Sequence, residues 1–292
     1  MAAPTSAGIA FYDRSLRYAE VQETERGFRL LRLGQCDFDF DLNRTLSDHG
    51  ADQERDIISE ALVEALGTSE SRRLRAALHP PLCRSFFSAH DGADPVSAVS
   101  FEAGLLGFAA DNSGGGIGAD AAARGEDSEL LHVTAIRPVV LEHLGATVAN
   151  LKAEDAQAVS ALRASAEVVR LGGVNLAGGV CVVALGYFDN LFELAILDES
   201  GWRFATHARG LPTPEDSIHH IREALSLMGW SADHVARALV FGTLRVPPAV
   251  EALFQGRVQI MNPLALLELD PDSLDPEYSS AEFVPSVGAA LL

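Results

Sequence analysis

The sequence predicts an α/β protein in which one folding unit occurs twice. A three-strand meander followed by an amphipathic helix and a short buried strand runs through residues 8–78, and the same order returns through residues 180–241, about 170 residues later. The stretch between the copies alternates strand-like and helix-like segments of its own, which marks an insertion. The 292 residues are 48% hydrophobic and 22% charged, enough chain and apolar content for two modest domains, so fibrous and wholly disordered readings are excluded.

Each element has its own signal. Residues 8–12, 16–21 and 28–33 are short apolar or alternating runs separated by Asp13-Arg14-Ser15 and by a polar stretch ending at Gly27, which predicts the first meander. A helix follows over 54–66, where Ile57, Ile58, Ala61, Leu62, Ala65 and Leu66 form one stripe after an Asp52 cap, and 73–78 reads as a strand. Within the insertion, 81–89 and 130–135 read as strands. Asp94-Pro95 opens a helix to about 109, Pro138 opens another to about 144, and 155–169 reads as one amphipathic helix through Val159, Leu162, Ala166 and Val169. The second copy comprises strands at 180–185, 191–197 and 202–207, a helix presenting Ile218, Ile221, Leu225 and Met228, and a buried strand at 238–241. The expected units are 1–81, 82–172 and 173–292.

Charge and composition then narrow the function classes. Acidic residues outnumber basic ones 41 to 22, giving −19, and Lys152 is the only lysine. Nucleic-acid binding through phosphate neutralisation is disfavoured, and the acidity suits a surface kept soluble in high salt. Cys36, Cys83 and Cys181 are far apart without metal-ligand spacing and read as buried free thiols. Residues 1–7 lack the basic start and apolar core of a secretory signal. The longest apolar stretch, 180–197, is cut by Asp189, Asn190 and Glu193, short of the roughly 20 residues of a membrane span. These features predict a cytoplasmic protein.

Several motifs have bland readings. Gly114-Gly115-Gly116-Ile117-Gly118 lacks the Lys-Ser/Thr of a phosphate loop and reads as a surface loop. His219-His220 are adjacent on a helix, so they point to different faces and read as a solvated edge rather than a metal site. Asp270, Asp272, Asp275 and Glu277 lack the glycine and spacing of a calcium loop and read as a solvated segment. No metal site is predicted, and no hydrolase, metalloprotease or kinase motif is present.

The duplicated meander, the insertion after the first copy, the segments 239–243 and 258–263, and the ending Phe283-Val284-Pro285-Ser286-Val287-Gly288-Ala289-Ala290-Leu291 together resemble the actin-like ATPase superfamily. Within it the chain is similar to the PilM group of type IV pilus assembly proteins, relatives of FtsA and of the cytoplasmic part of the type II secretion protein GspL. The resemblance implies an actin-like fold: two ribonuclease-H-like halves with an inserted α/β subdomain and a truncated second half. In the superfamily two hairpin loops carry Asp-x-Gly, the carboxylate organising magnesium and the glycine admitting phosphate. The first loop aligns with residues 8–12 and the second with 183–187, so alanine stands at both aspartate positions, Ala10 and Ala184. Tyr12 replaces a glycine, while Gly186 and Gly242 are kept. Between Gly210 and Ala238 there is room for one helix, whereas the superfamily places there a subdomain that walls the adenosine.

The resemblance therefore implies a non-catalytic adaptor of pilus assembly or type II secretion, with no catalytic residue, no cofactor and a degenerate nucleotide pocket at Ala10, Tyr12, Ala184, Gly186 and Gly242. Its implied partner is a PilN-like single-span inner-membrane protein, whose cytoplasmic peptide would lie near residues 78–87 and the 138–170 helices, with exposed apolar surface there as the sign of the site. Localisation at the inner membrane would come only through that partner, and a homo-oligomer is allowed. The alternative is a nucleotide-dependent enzyme of the same superfold, an ATPase or small-metabolite kinase with Asp13 and Asp189 as displaced acids.

Overall fold

The computed structural model describes residues 4–67, 72–90, 116–124, 129–174, 176, 178–210, 213–269 and 278–292. The first meander comprises β1 (Thr5–Phe11), β2 (Ser15–Thr24) and β3 (Gly27–Asp37), paired antiparallel with Ile9 opposite Tyr18 and Tyr18 opposite Gly34. Two helices follow, α1 (Leu42–Ser47) and α2 (Asp52–Leu66), then β4 (Arg72–Leu78), which returns parallel to β1. In α2 the spacing of Ile58, Leu62 and Leu66 buries one stripe, and Asp52 and Glu54 sit favourably in the first turn, near the positive end of the helix dipole. Asp52 is the first helical residue, not the cap. Ala51 occupies the cap position and makes no side-chain capping bond.

The insertion contributes β5 (Cys83–His90), β6 (Gly116–Arg124) and β7 (Glu129–Ile136), an antiparallel set in which β7 is central. Gly116, Ile117 and Gly118 thus begin a strand, which corrects the surface-loop reading for those residues. Residues 114–115 and the helix expected over 94–109 lie outside the described residues. Next, α3 (Pro138–Val148) buries Val140, Leu144 and Val148 against α1 and α2. The single helix expected over 155–169 is two elements, β8 (Asp155–Ser160) and α4 (Ala161–Leu171), with Ser160 at φ −70° and ψ 136° breaking the helix. Strand β8 pairs in parallel with β4, so these residues join the first sheet.

The second copy holds β9 (Cys181–Phe188), β10 (Leu191–Asp198), β11 (Gly201–Arg209), α5 (Ser217–Leu227), β12 (Val235–Gly242), α6 (Pro248–Phe254) and β13 (Val258–Ile260). The sheet order is β13-β12-β9-β10-β11-β6-β7-β5, the insertion joining through Gly201 opposite Ala123. The chain then returns to the first sheet: β14 (Leu267–Glu268) pairs with β3, giving the order β14-β3-β2-β1-β4-β8, and α7 (Val284–Leu291) packs on β1 and α4.

The layers run helix, sheet, helix, sheet, helix. One core fills the space between α1–α3 and the first sheet through Ile9, Phe11, Leu62 and Val140. A second joins the sheets through α4 and α7, with Ala10, Leu162, Val182, Ala184 and Val284, and a third packs α5 and α6 under Val183, Leu185, Ile221 and Phe254. Helix α7 approaches its neighbours backbone to backbone. A methyl group on Gly8 would lie 2.0 Å from the Ser286 carbonyl oxygen, and one on Gly288 would lie 1.9 Å from that of Ala164.

Candidate functional site

The turns β1–β2 and β9–β10 face each other across a cleft of about 550 Å³, lined by residues of both halves. Beneath it, Ala10 and Ala184 are fully buried in the apolar core that joins the sheets. Ala10 stands opposite Arg17 and Ala77 in its sheet, and Ala184 opposite Ala195 and Leu239. Neither position has a carboxylate with which to hold a metal's water shell.

Tyr12 closes the floor. Its ring lies 4.7 Å from that of His79 and 5.0 Å from that of Phe188, so it bridges the halves. The Arg17 guanidinium sits over the Tyr12 ring at 4.7 Å and donates to Glu282 Oε2 at 2.8 Å, while the phenol reaches the Glu282 carbonyl at 3.4 Å. Burial pushes the Tyr12 phenol well above its ordinary range, with Arg17 opposing. The side chain thus acts as a neutral plug.

Polar links complete the seam. His79, just after β4, donates from Nδ1 to Glu193 Oε1 at 2.7 Å, and both side chains are buried. Arg209, at the end of β11, donates to Asp13 Oδ1 at 2.8 Å and to the Pro80 carbonyl, and Asn43 donates to the same Asp13 oxygen at 2.6 Å. Asp13 is therefore engaged by two donors. Asp189 is exposed at the rim. Gly186 and Gly242 are explained by the protein's own packing. A methyl on Gly186 would lie 2.8 Å from the Phe241 ring, and Gly242 has φ +108° with the Tyr187 carbonyl 2.1 Å from the place a methyl would take.

Of the five sequence-derived positions, Ala10, Tyr12 and Ala184 meet beneath the cleft, whereas Gly186 and Gly242 serve the strand packing behind it. The links His79–Glu193 and Arg209–Asp13 were not anticipated, because their partners are 114 and 196 residues apart. The apolar surface expected near residues 78–87 and 138–170 is not found among the described residues. The exposed large apolar side chains are Leu31, Ile57, Leu227, Ile260 and Leu269, while Leu78, Leu82, Ile136 and Val140 share one buried core. Cys36, Cys83 and Cys181 are free thiols, and burial raises the pKa of each, that of Cys181 to about 12. His219 is exposed on α5, and no cluster of metal-ligating side chains occurs among the described residues. The acidic segment 270–277 lies outside them.

Two meander units facing each other across a hairpin-lined cleft, with an insertion in the first and a returning last helix, make up an actin-like fold. Comparison with solved structures agrees. The chain is similar over 98% of its length to 97% of a chain in a PilM–PilN type IV pilus biogenesis complex, at TM-score 0.75 and 14% identity. It is also similar, over 90% of its length, to 92% of a Bacteroides thetaiotaomicron protein with an actin-like ATPase fold, at TM-score 0.58 and 10% identity. The cytoplasmic domain of EpsL, an inner-membrane component of the Vibrio cholerae type II secretion system, matches over 90% of this chain and 92% of its own, at TM-score 0.52 and 7% identity. The chain thus has a PilM-like, actin-like fold. No family model and no curated protein matches the sequence.

Proposed function

We propose that this chain is a non-catalytic adaptor of type IV pilus assembly or type II secretion, which holds the cytoplasmic peptide of a single-span inner-membrane protein. The observation that carries the reading is the filled floor of the cleft: Tyr12 packs between His79 and Phe188, and buried alanines, Ala10 and Ala184, stand where the resemblance would put the magnesium carboxylates. Losing that metal stabilisation removes several kcal/mol from phosphoryl transfer. The likeness to a chain of a PilM–PilN complex and to the EpsL cytoplasmic domain supports the choice of pathway and of a PilN-like partner. No helix among the described residues is long and apolar enough to cross a membrane, in keeping with attachment borrowed from the partner.

The reading puts the partner peptide on the edge strand β8. It ends the first sheet beside β5, with Ala156 and Gln157 exposed, and a sheet edge can accept an extended peptide by strand addition. As functional units, 1–81, 82–172 and 173–292 are retained in this proposal, with β8 adding one edge to the first sheet.

Two measurements test the reading. Titration calorimetry with ATP and magnesium is expected to show no saturable heat at micromolar to millimolar nucleotide. A magnesium-dependent micromolar isotherm overturns the reading in favour of a nucleotide-dependent enzyme using Asp13 and Asp189. Co-expression with a single-span partner and membrane fractionation is expected to move the chain to membranes only when the partner is present. Sedimentation without it defeats the borrowed anchor.

A further inference from the structure

We propose that the cleft between the two hairpins is a receptor for a guanidinium cation, carried either by a free small molecule or by an arginine of a partner segment. The proposal rests on the reading above that the cleft does not take ATP with magnesium. Its first support is the charge left over after internal pairing. Asp13, Asp37, Asp41 and Asp189 line the cleft with Arg14, Arg17 and Arg209. Arg17 is paired with Glu282 and Arg209 with Asp13, and Asp41 is engaged as the cap of α1, which leaves Asp189 and Asp37, the latter taking only the Gln35 amide, facing Arg14.

The second support is a pair of buried polar atoms without a partner in the same wall. Asn43 and His79 are 7% and 2% exposed, and Asn43 Oδ1 and His79 Nε2 have no hydrogen-bond partner. The Asn43 amide oxygen is an acceptor in any state, so it favours an incoming N–H donor and disfavours phosphate, which brings further acceptors and negative charge.

The third support is what the cleft already does. It holds two guanidinium groups of its own, Arg17 stacked on Tyr12 and Arg209 on a carboxylate, and the rings of Phe38 and Phe188 add further apolar lining. Aromatic faces together with carboxylates suit a planar, weakly hydrated cation with several donors better than a compact ion. No group of three or more His, Cys, Asp or Glu side chains able to hold a metal occurs among the described residues. The volume of about 550 Å³ lies in the range of small-molecule sites.

The test is titration calorimetry of the full chain with two probes, agmatine and a blocked tripeptide amide with a central arginine. Saturable binding of either is expected. The double variant Asp37→Asn/Asp189→Asn, at two exposed positions, should weaken it about tenfold or more, and Arg14→Ala should tighten it. Glu199→Gln removes one carboxylate away from the cleft, as each half of the double variant does within it, and should leave binding unchanged. Tighter agmatine binding identifies a free ligand, and tighter peptide binding identifies a partner's side chain. No saturable binding of either probe, or equal weakening by Glu199→Gln, overturns the proposal. If ATP with magnesium also fails to bind, only this inference falls. An ATP isotherm overturns the functional reading itself.

Discussion

Ala10 and Ala184 pack an apolar core at the two hairpin positions where the resemblance would put a metal-organising aspartate. Each is sealed between neighbouring strands: an aspartate at 184, between Ala195 and Leu239, would be a buried carboxylate without a partner, and one at 10 would be forced into the core opposite an Arg17 already committed to Glu282. Ala10→Asp and Ala184→Asp are expected to lower stability by about 3 kcal/mol or more in urea denaturation, and to confer no ATP binding while Tyr12 fills the floor. His132 offers a second test. It is fully buried against Trp202 at 4.1 Å, neither ring nitrogen has a hydrogen-bond partner, and burial, then Arg163, depresses its pKa to about 3. The unfolded chain therefore binds a proton that the folded one refuses between pH 6.5 and 3. Stability from this residue is complete above pH 6.5 and falls by about 1.4 kcal/mol per unit as the pH drops through that window. His132→Phe should remove this part of the acid slope and stabilise the protein at neutral pH by about 1 kcal/mol, measured as urea midpoints from pH 7 to 4. At this scale the hairpin positions were legible because strand register places them, whereas the His79–Glu193 and Arg209–Asp13 links needed the folded chain.

Helix α7 sets two rules against each other. Ala is favoured over Gly in a helix interior by about 1 kcal/mol, so propensity alone predicts that Gly288→Ala stabilises. The Ala164 carbonyl, 1.9 Å from the added methyl, is backbone and cannot step aside. The substitution is therefore expected to destabilise by about 2 kcal/mol or more, and a raised urea midpoint would refute the backbone contact. The strands β1–β4 and β9–β12 were legible from alternation and short apolar runs. Strand β8 was not, because its Ala, Gln and Val residues fit a helical stripe with Leu162 and Ala166, and only pairing with β4 reveals it. Strand β6 was hidden for the same kind of reason: glycine and alanine carry little strand propensity, and β7 supplies the pairing that holds it. The six residues of α1 escaped notice because too few turns exist to show a period, although Asp41 caps the helix by accepting from the backbone of Asn43 and Arg44.

Across the molecule, −19 is a global repulsion that folding concentrates. Adding potassium chloride from about 0.05 to 1 M is expected to raise the melting temperature, since the screening length shrinks from more than 10 Å to about 3 Å. A flat or falling trend would show that surface repulsion does not limit stability. The way the chain closes its first sheet has a consequence in time. Strands β1–β4 and β8 are made before residue 172, yet one edge waits for Leu267 and one face for residues 284–291. On the ribosome the early half is therefore an unfinished layer whose Gly8 groove stands open until residue 291 has emerged. A nascent chain stalled at residue 171 is a client for chaperones, and supplying the 278–292 segment as a separate peptide should recover a soluble fragment that the early residues alone do not yield.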